Sequence, residues 1–258
     1  LELDVPQPTL LAPGEGEVVN DNPDHTVRLL LSHDLLDVTW SHFGPAEPGA
    51  VPHVHREHTD CFYVLEGELD FLLGPALQRV SAPTGTFVAV PPNVIHGFDN
   101  DGSERATFLN FHAPSGGFAD YMRGLTPGFD SFDPPEDGGA PPTAVTVSLP
   151  GEGEHLARGL RGHTIKAQLP HLAAIEVNFE PGFEGVDPHS HDDHVDSFFV
   201  LEGEVEFIGG TGRPGTFVAA IPGVVHGFRI LGDRAPISLL NIHAPDTGFT
   251  DTLRRPRT

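Results

Sequence analysis

Basic residues, sulfur and long apolar runs are what this sequence has least of. Fourteen Lys and Arg, with Lys166 the one lysine, stand against 37 Asp and Glu, for a formal net charge of −23. That balance argues against nucleic acid and anionic membrane surfaces as partners, because binding them relies on Lys and Arg neutralising phosphates. A single cysteine, Cys61, excludes an intrachain disulfide framework. Its place in an apolar run reads as a small buried strand residue. There is one Met and one Trp in 258 residues. No apolar run is long enough to span a bilayer and no stretch reads as a signal peptide with a basic start, so a cytoplasmic location is expected.

Gly (30) and Pro (26) are abundant instead. Turn signals recur about every dozen residues and helical periodicity is scarce, which predicts an all-β chain of short strands in a sandwich or barrel.

The chain also repeats itself. "PHVHREHTDCFYVLEGELDF" (52–71) and "PHSHDDHVDSFFVLEGEVEF" (188–207) share twelve residues and keep three histidines each. "GTFVAVPPNVIHGF" (85–98) matches "GTFVAAIPGVVHGF" (215–228) in ten of fourteen positions, and "LNFHAP" (109–114) matches "LNIHAP" (240–245). The offset falls from 136 to 130 between the first and second of these pairs, so the second copy is six residues shorter there, at a hairpin connection. Two copies indicate domain duplication rather than a solenoid. The expected domains are 10–125 and 147–250, joined over 126–146 by a linker rich in Pro, Gly and acid. Whether the chain forms a homo-oligomer is left open.

The spacing that survives the drift between copies is that of His53, His55, Asp60 and His96, repeated as His189, His191, Asp196 and His226. A His-x-His pair on a strand puts two nitrogen donors on one face. A carboxylate and a later histidine complete a set of three imidazoles and one carboxylate. Such donors suit a divalent transition metal (Fe, Mn, Ni, Cu, Co or Zn) rather than Ca or Mg, with one ion expected per domain. His58 and His194 also keep their places in the repeat and are rival ligands to the two aspartates. Asn110 and His112 recur as Asn241 and His243. They either orient the ligands and substrate or bond to the turn that follows them.

These motifs resemble those of the cupin superfamily, and the chain is similar to a two-domain bicupin. The first cupin motif stands as Gly49…His53-Val-His55-x4-Asp60-x6-Gly67 and again as Gly185…His189-Ser-His191-x4-Asp196-x6-Gly203. The second stands as Gly85-x5-Pro91-Pro-Asn93-x2-His96-x3-Asn100, and as Gly215…Pro222-Gly223-x2-His226 with Ile230 in place of the asparagine. The resemblance covers roughly 200 of the 258 residues. It implies two double-stranded β-helix (jelly-roll) barrels, each holding one metal. The family's glutamate ligand is Asp60 and Asp196 here, one methylene shorter. In quercetinase-like cupins that acid is both ligand and proton acceptor, so the resemblance makes Asp60 and Asp196 the candidate catalytic residues.

A metal with open coordination positions in an apolar barrel mouth fits dioxygenation of a small phenolic, flavonol-like or enolisable substrate. The stretch from Phe111 to Phe118, echoed from Ile242 to Phe249, looks like the tail of quercetinase-like bacterial cupins. The alternatives are a lyase of the oxalate-decarboxylase type, for which Arg56 and Glu57 would supply the arginine and the acid, and a non-enzymatic small-molecule-binding cupin.

Overall fold

The computed structural model describes residues 6–230 and 236–255. It divides into two units, one from Gly16 to Glu152 and the other formed by the described residues up to Glu15 with those from Gly153 onward. Both are built almost wholly of antiparallel strands.

In the Gly16–Glu152 unit a seven-stranded sheet runs in the order Thr146–Ser148, Phe87–Val90, Thr59–Glu66, Ala106–Ala113, Leu36–Phe43, His25–His33, Glu17–Asn22. A three-stranded sheet of Gln78–Pro83, Glu68–Leu73 and His96–Asp99 belongs to the same unit. The Thr59–Glu66 strand is buried at its first six positions and the Ala106–Ala113 strand along its whole length. Apolar residues on both faces make these strands the covered centre of the barrel rather than a half-solvated edge. Asp60 lies opposite His112, Phe62 opposite Asn110 and Val64 opposite Phe108. Because alternate residues share a face, all six project to the same side. One strand pair therefore carries polar groups at one end and core phenylalanines at the other. Phe62 packs against Phe98 at 4.9 Å and Phe71 at 5.0 Å, and Phe108 meets Phe43 edge-on at 5.1 Å.

The other unit repeats this plan. Its seven-stranded sheet runs Thr9–Leu11, Phe217–Ala220, Val195–Glu202, Ile237–Ala244, Leu172–Phe179, Arg161–Leu169, Glu154–Arg158. Its smaller sheet runs Gly185–His189, His226–Ile230, Val205–Phe207, Gly210–Gly212.

The division differs from the sequence expectation in three places. Thr9–Leu11, which precedes the first "PGEGE", forms the edge strand of the C-terminal barrel through Thr9–Ala219 and Leu11–Phe217. Thr146–Ser148, which precedes the second, forms the edge strand of the N-terminal barrel through Thr146–Ala89 and Ser148–Phe87. The expected linker is also part of the N-terminal barrel. Phe132 exchanges two backbone hydrogen bonds of 2.9 Å with Val54, and Ala140 donates to Asn93 at 2.7 Å. Proline and acid content marked this stretch as irregular, but its backbone groups find partners on the barrel.

Candidate metal centres

In the N-terminal barrel His53 and His96 face each other across a short antiparallel bridge, exchanging N–H···O bonds of 2.9 Å in each direction. Their rings consequently lie side by side, with centroids 4.3 Å apart. His55 follows two residues later on the same side, and Asp60 enters from the central strand pair. The donor atoms of His53, His55, Asp60 and His96 all lie within 4.8 Å of one another. His53 Nε2 is 3.2 Å from His55 Nε2, and Asp60 Oδ2 is 3.5 Å from His55 Nε2 and 3.4 Å from His96 Nε2.

Hydrogen bonds on the far side of each ring decide what these nitrogens can do. His53 Nδ1 donates to Val51 O at 2.8 Å, His96 Nδ1 to Val94 O at 2.9 Å, and His55 Nδ1 to Asp130 O. Each neutral ring thus carries its proton on Nδ1 and turns a bare lone pair inward. His96 Nε2 is buried without a hydrogen-bond partner. Two inward lone pairs 3.2 Å apart repel each other, and a carboxylate oxygen beside them adds to that repulsion. A cation among them would reverse its sign. Three neutral imidazoles and one carboxylate therefore fit a divalent transition metal.

The C-terminal barrel repeats the arrangement with His189 opposite His226 and with Asp196 opposite His243. His189 Nδ1 donates to Asp187 O at 2.8 Å and His226 Nδ1 to Val224 O at 3.0 Å. Asp196 Oδ2 lies 3.0 Å from His226 Nε2 and 3.8 Å from His191 Nε2. The two centres differ in cover: the His55 side chain is 2% exposed and that of His191 is 29% exposed.

Behind each cluster lies a second polar layer. Asn110 Nδ2 donates to Asp60 Oδ1 and to Cys61 O, and its Oδ1 accepts from His112 Nε2 at 2.9 Å. His112 Nδ1 lies 2.9 Å from His58 Nε2, within hydrogen-bond distance. The same chain runs from Asp196 through Asn241 and His243 to His194, with bonds of 2.6, 3.0 and 3.0 Å. The recurring Asn-x-His pairs therefore orient the aspartates. They also engage His58 and His194. The other nitrogen of His58 meets Asp130 Oδ2 at 2.8 Å, and that of His194 meets Asp193 Oδ1 at 2.8 Å. Both ring nitrogens of His58 and of His194 have protein partners, and His58 also forms a further group of three nitrogen donors with His55 and His112. Asp60 Oδ2 faces the first cluster, and Asp196 Oδ2 hydrogen-bonds His226 Nε2 in the second. Asp130 and Phe129 stand at the first centre and were missed in the sequence, where they sit inside the expected linker.

Burial by itself would raise the Asp60 carboxyl, but the surrounding imidazoles of His112, His55 and His96 hold it well below the usual carboxylate range. Asp196, also buried, is held at about 2 by His243 and His226. Burial, reinforced by neighbouring imidazoles, pushes His53 and His191 down to about 4. His163 is likewise at about 4, through burial and nearby Arg161. His58 is also pushed down to about 4 by burial, and all four histidines titrate at 6.5 when unperturbed, so between 6.5 and 4 they bind more protons in the unfolded chain; Asp37, raised by burial to about 6, opposes them in part. Stability therefore falls as pH drops through that window, by at most about 1.4 kcal/mol per pH unit for each histidine. Chelator-treated protein is expected to show a thermal midpoint that declines continuously from pH 7 to pH 4. A flat profile would contradict the buried neutral histidines.

Each cluster opens on a cavity. The first, about 270 Å³, is lined by His53, His55, Asp60, Phe43, Phe118 and Phe129 among others. The second, about 130 Å³, is lined by His189, Asp196, Phe179, Phe198, Phe249 and Arg161 among others. Apolar walls with a few converging polar groups suit a small organic molecule.

The cupin-domain family pattern matches residues 39–112 and 175–243, more than half of the chain and once in each barrel. The chain is a two-domain cupin. Over 96 residues the bicupin is 30% identical to quercetin 2,3-dioxygenase of Bacillus subtilis (strain 168), a match spanning 36% of this chain and 28% of that protein. Among solved structures, oxalate decarboxylase from Bacillus subtilis at pH 4.6 superposes with a TM-score of 0.63 at 13% identity, covering 95% of this chain and 78% of that one. The formate complex of oxalate decarboxylase from Lactobacillus farciminis superposes with a TM-score of 0.60 at 11% identity, covering 92% and 86%. At these identities the likeness is one of fold. Among the described residues, no helix is long and apolar enough to cross a membrane.

Proposed function

We propose that each barrel holds one divalent transition metal, through His53, His55, Asp60 and His96 in the first and His189, His191, Asp196 and His226 in the second. On that basis the bicupin is a dioxygenase of a small phenolic, flavonol-like or enolisable molecule. The observation that carries the metal assignment is the convergence of three imidazole nitrogens and a carboxylate oxygen in each barrel, with His96 Nε2 buried and unpartnered in the first. The choice of dioxygenase rests on the partial match to quercetin 2,3-dioxygenase and on the aromatic cavity walls. A bound ion of this kind supplies Lewis-acid activation of a chelating substrate oxygen and, where redox-active, a path for electrons between substrate and O₂.

The chain's own residues perform the remaining tasks. Backbone carbonyls of Val51, Val94 and Asp130 fix the tautomers of the three histidines. Asn110 holds Asp60 with Oδ2 toward the cluster. Phe118 and Phe129 line the cavity beside the first centre, so an aromatic substrate finds apolar walls and bulk water is displaced. Asp60, held by Asn110 with Oδ2 among the imidazole nitrogens, is assigned to binding and orienting. The lyase alternative is not favoured by the positions of Arg56 and Glu57. Both are exposed, and the Arg56 guanidinium lies 3.8 Å over the Phe132 ring.

The test is oxygen uptake by metal-reconstituted protein against a panel of flavonols and catechols. One O₂ consumed per substrate, with both atoms incorporated into product, is expected. Substrate turnover under argon, or no uptake across the panel, would contradict the proposal.

A further inference from the structure

We infer that Asp130 is a positioning residue for the first centre, and that the chain around it clasps that centre so that the two barrels hold metal unequally. The inference rests on the metal assignment proposed above. Asp130 acts through two different groups. Its backbone carbonyl accepts the Nδ1 proton of His55, which fixes the tautomer that turns Nε2 inward. Its carboxylate accepts from Arg56 N–H at 3.1 Å and Glu57 N–H at 2.8 Å, and engages His58 Nδ1 at 2.8 Å. His58 is the far end of the hydrogen-bonded chain that leads through His112 and Asn110 to Asp60. One residue thus anchors both the imidazole and the carboxylate side of the donor set, and ties down the loop between them.

The segment is itself held in place. Asp130 N–H donates to Gly116 O at 3.0 Å, and Phe132 pairs with Val54 between the two histidines of the His-x-His motif. Phe129 packs its ring against His55 at 5.6 Å and against Phe118 at 5.2 Å, covering the cluster from the cavity side. The second barrel ends its equivalent chain differently. His194 meets the carboxylate of its sequence neighbour Asp193, which is 70% exposed, whereas Asp130 is 11% exposed. Thr247 Oγ1 also reaches His194 Nδ1, at 3.2 Å, but neither it nor Asp193 engages His191, whereas Asp130 engages both His55 and His58. The greater exposure of His191 follows.

Partners that orient metal-binding histidines typically contribute 10–100-fold in affinity. The protein loaded with cobalt(II) and then exposed to excess chelator should therefore release two equivalents in two phases. The slow phase should be absent from His53→Ala and the fast phase from His189→Ala, which assigns each phase to a barrel. Asp130→Ala is expected to accelerate the slow phase by roughly 10–100-fold, to shift the cobalt absorption bands of the first centre, and to leave the fast phase unchanged. Asp130→Asn keeps the main-chain acceptor and an amide oxygen for the Arg56 and Glu57 N–H groups, so it should fall between wild type and alanine. If the alanine variant does not fold, the asparagine variant decides by the same phases. An unchanged slow phase, or equal acceleration of both phases, would overturn the inference while two bound equivalents leave the metal assignment standing. Failure of the wild type to take up any cobalt would overturn both.

Discussion

His53→Ala is expected to lower the metal content from two equivalents per chain to one while leaving the fold intact. The imidazole supplies one of the four converging donors, and its Nε2 is the atom closest to that of His55, at 3.2 Å. The remaining two imidazoles and one carboxylate lack a donor on the cavity side. The cost to the fold is small because the lost Nδ1–H bond goes to Val51, an exposed residue whose carbonyl can turn to water. The backbone bridge between residues 53 and 96 does not depend on the side chain. His189→Ala should likewise remove one equivalent, from the other barrel, and the double variant should bind none. Elemental analysis of each variant beside its thermal midpoint measures both parts. Two equivalents retained in His53→Ala would contradict the donor assignment.

Phe62→Ala is expected to have the largest effect on stability, about 3–5 kcal/mol. The ring is 0% exposed and touches Phe71, Phe98 and Phe108, so truncation leaves a cavity walled by stiff aromatic neighbours that cannot collapse into it. It is also two residues from Asp60 on the same face, so the packing that holds the strand pair in register also sets where the carboxylate points. The duplicate position gives an internal comparison. Phe198 is only partly buried and lines the second cavity, so Phe198→Ala should cost clearly less. Urea unfolding of the two chelator-treated variants makes the comparison. A Phe62→Ala cost under about 1 kcal/mol would mean that the core at this strand pair is not packed as described.

Much of the site was legible because a duplicated sequence separates what is kept from what drifts. His-x-His, the aspartate five residues on and the later histidine recur in order, and a strand's two-residue period was enough to place the first pair on one side. The structure also gives the physical reason for the motif glycines. A Cβ on Gly49 would lie 2.2 Å from Phe98 O, and one on Gly185 would lie 2.1 Å from Phe228 O, so the strand that brings in each second-motif histidine leaves no room for a side chain. The asparagine present in only one copy proves to be structural. Asn100 Nδ2 donates to Gly44 O and Glu104 O, away from the cluster, so Ile230 in its place leaves the second donor set complete.

What could not be read depends on contacts distant in sequence. The short segments Thr9–Leu11 and Thr146–Ser148 carry no signal of which copy's sheet they will join. Nor does any local pattern separate Asp130 from the other acids of its proline-rich stretch, since its role depends on backbone amides and a histidine more than seventy positions away. Asn110 and His112 were ambiguous for a related reason. Their partners, Asp60 on a neighbouring strand and His58 just before it, are set by a register that only the folded sheet fixes.

The most direct test of the central claim is elemental mass spectrometry of the protein purified without a histidine tag, before and after reconstitution with Fe, Mn, Co, Ni, Cu and Zn in turn. Two equivalents of one transition metal per chain are predicted. No bound metal under any of these conditions would contradict the account, because the inward-facing lone pairs of His53, His55 and His96 would then have no cation to hold.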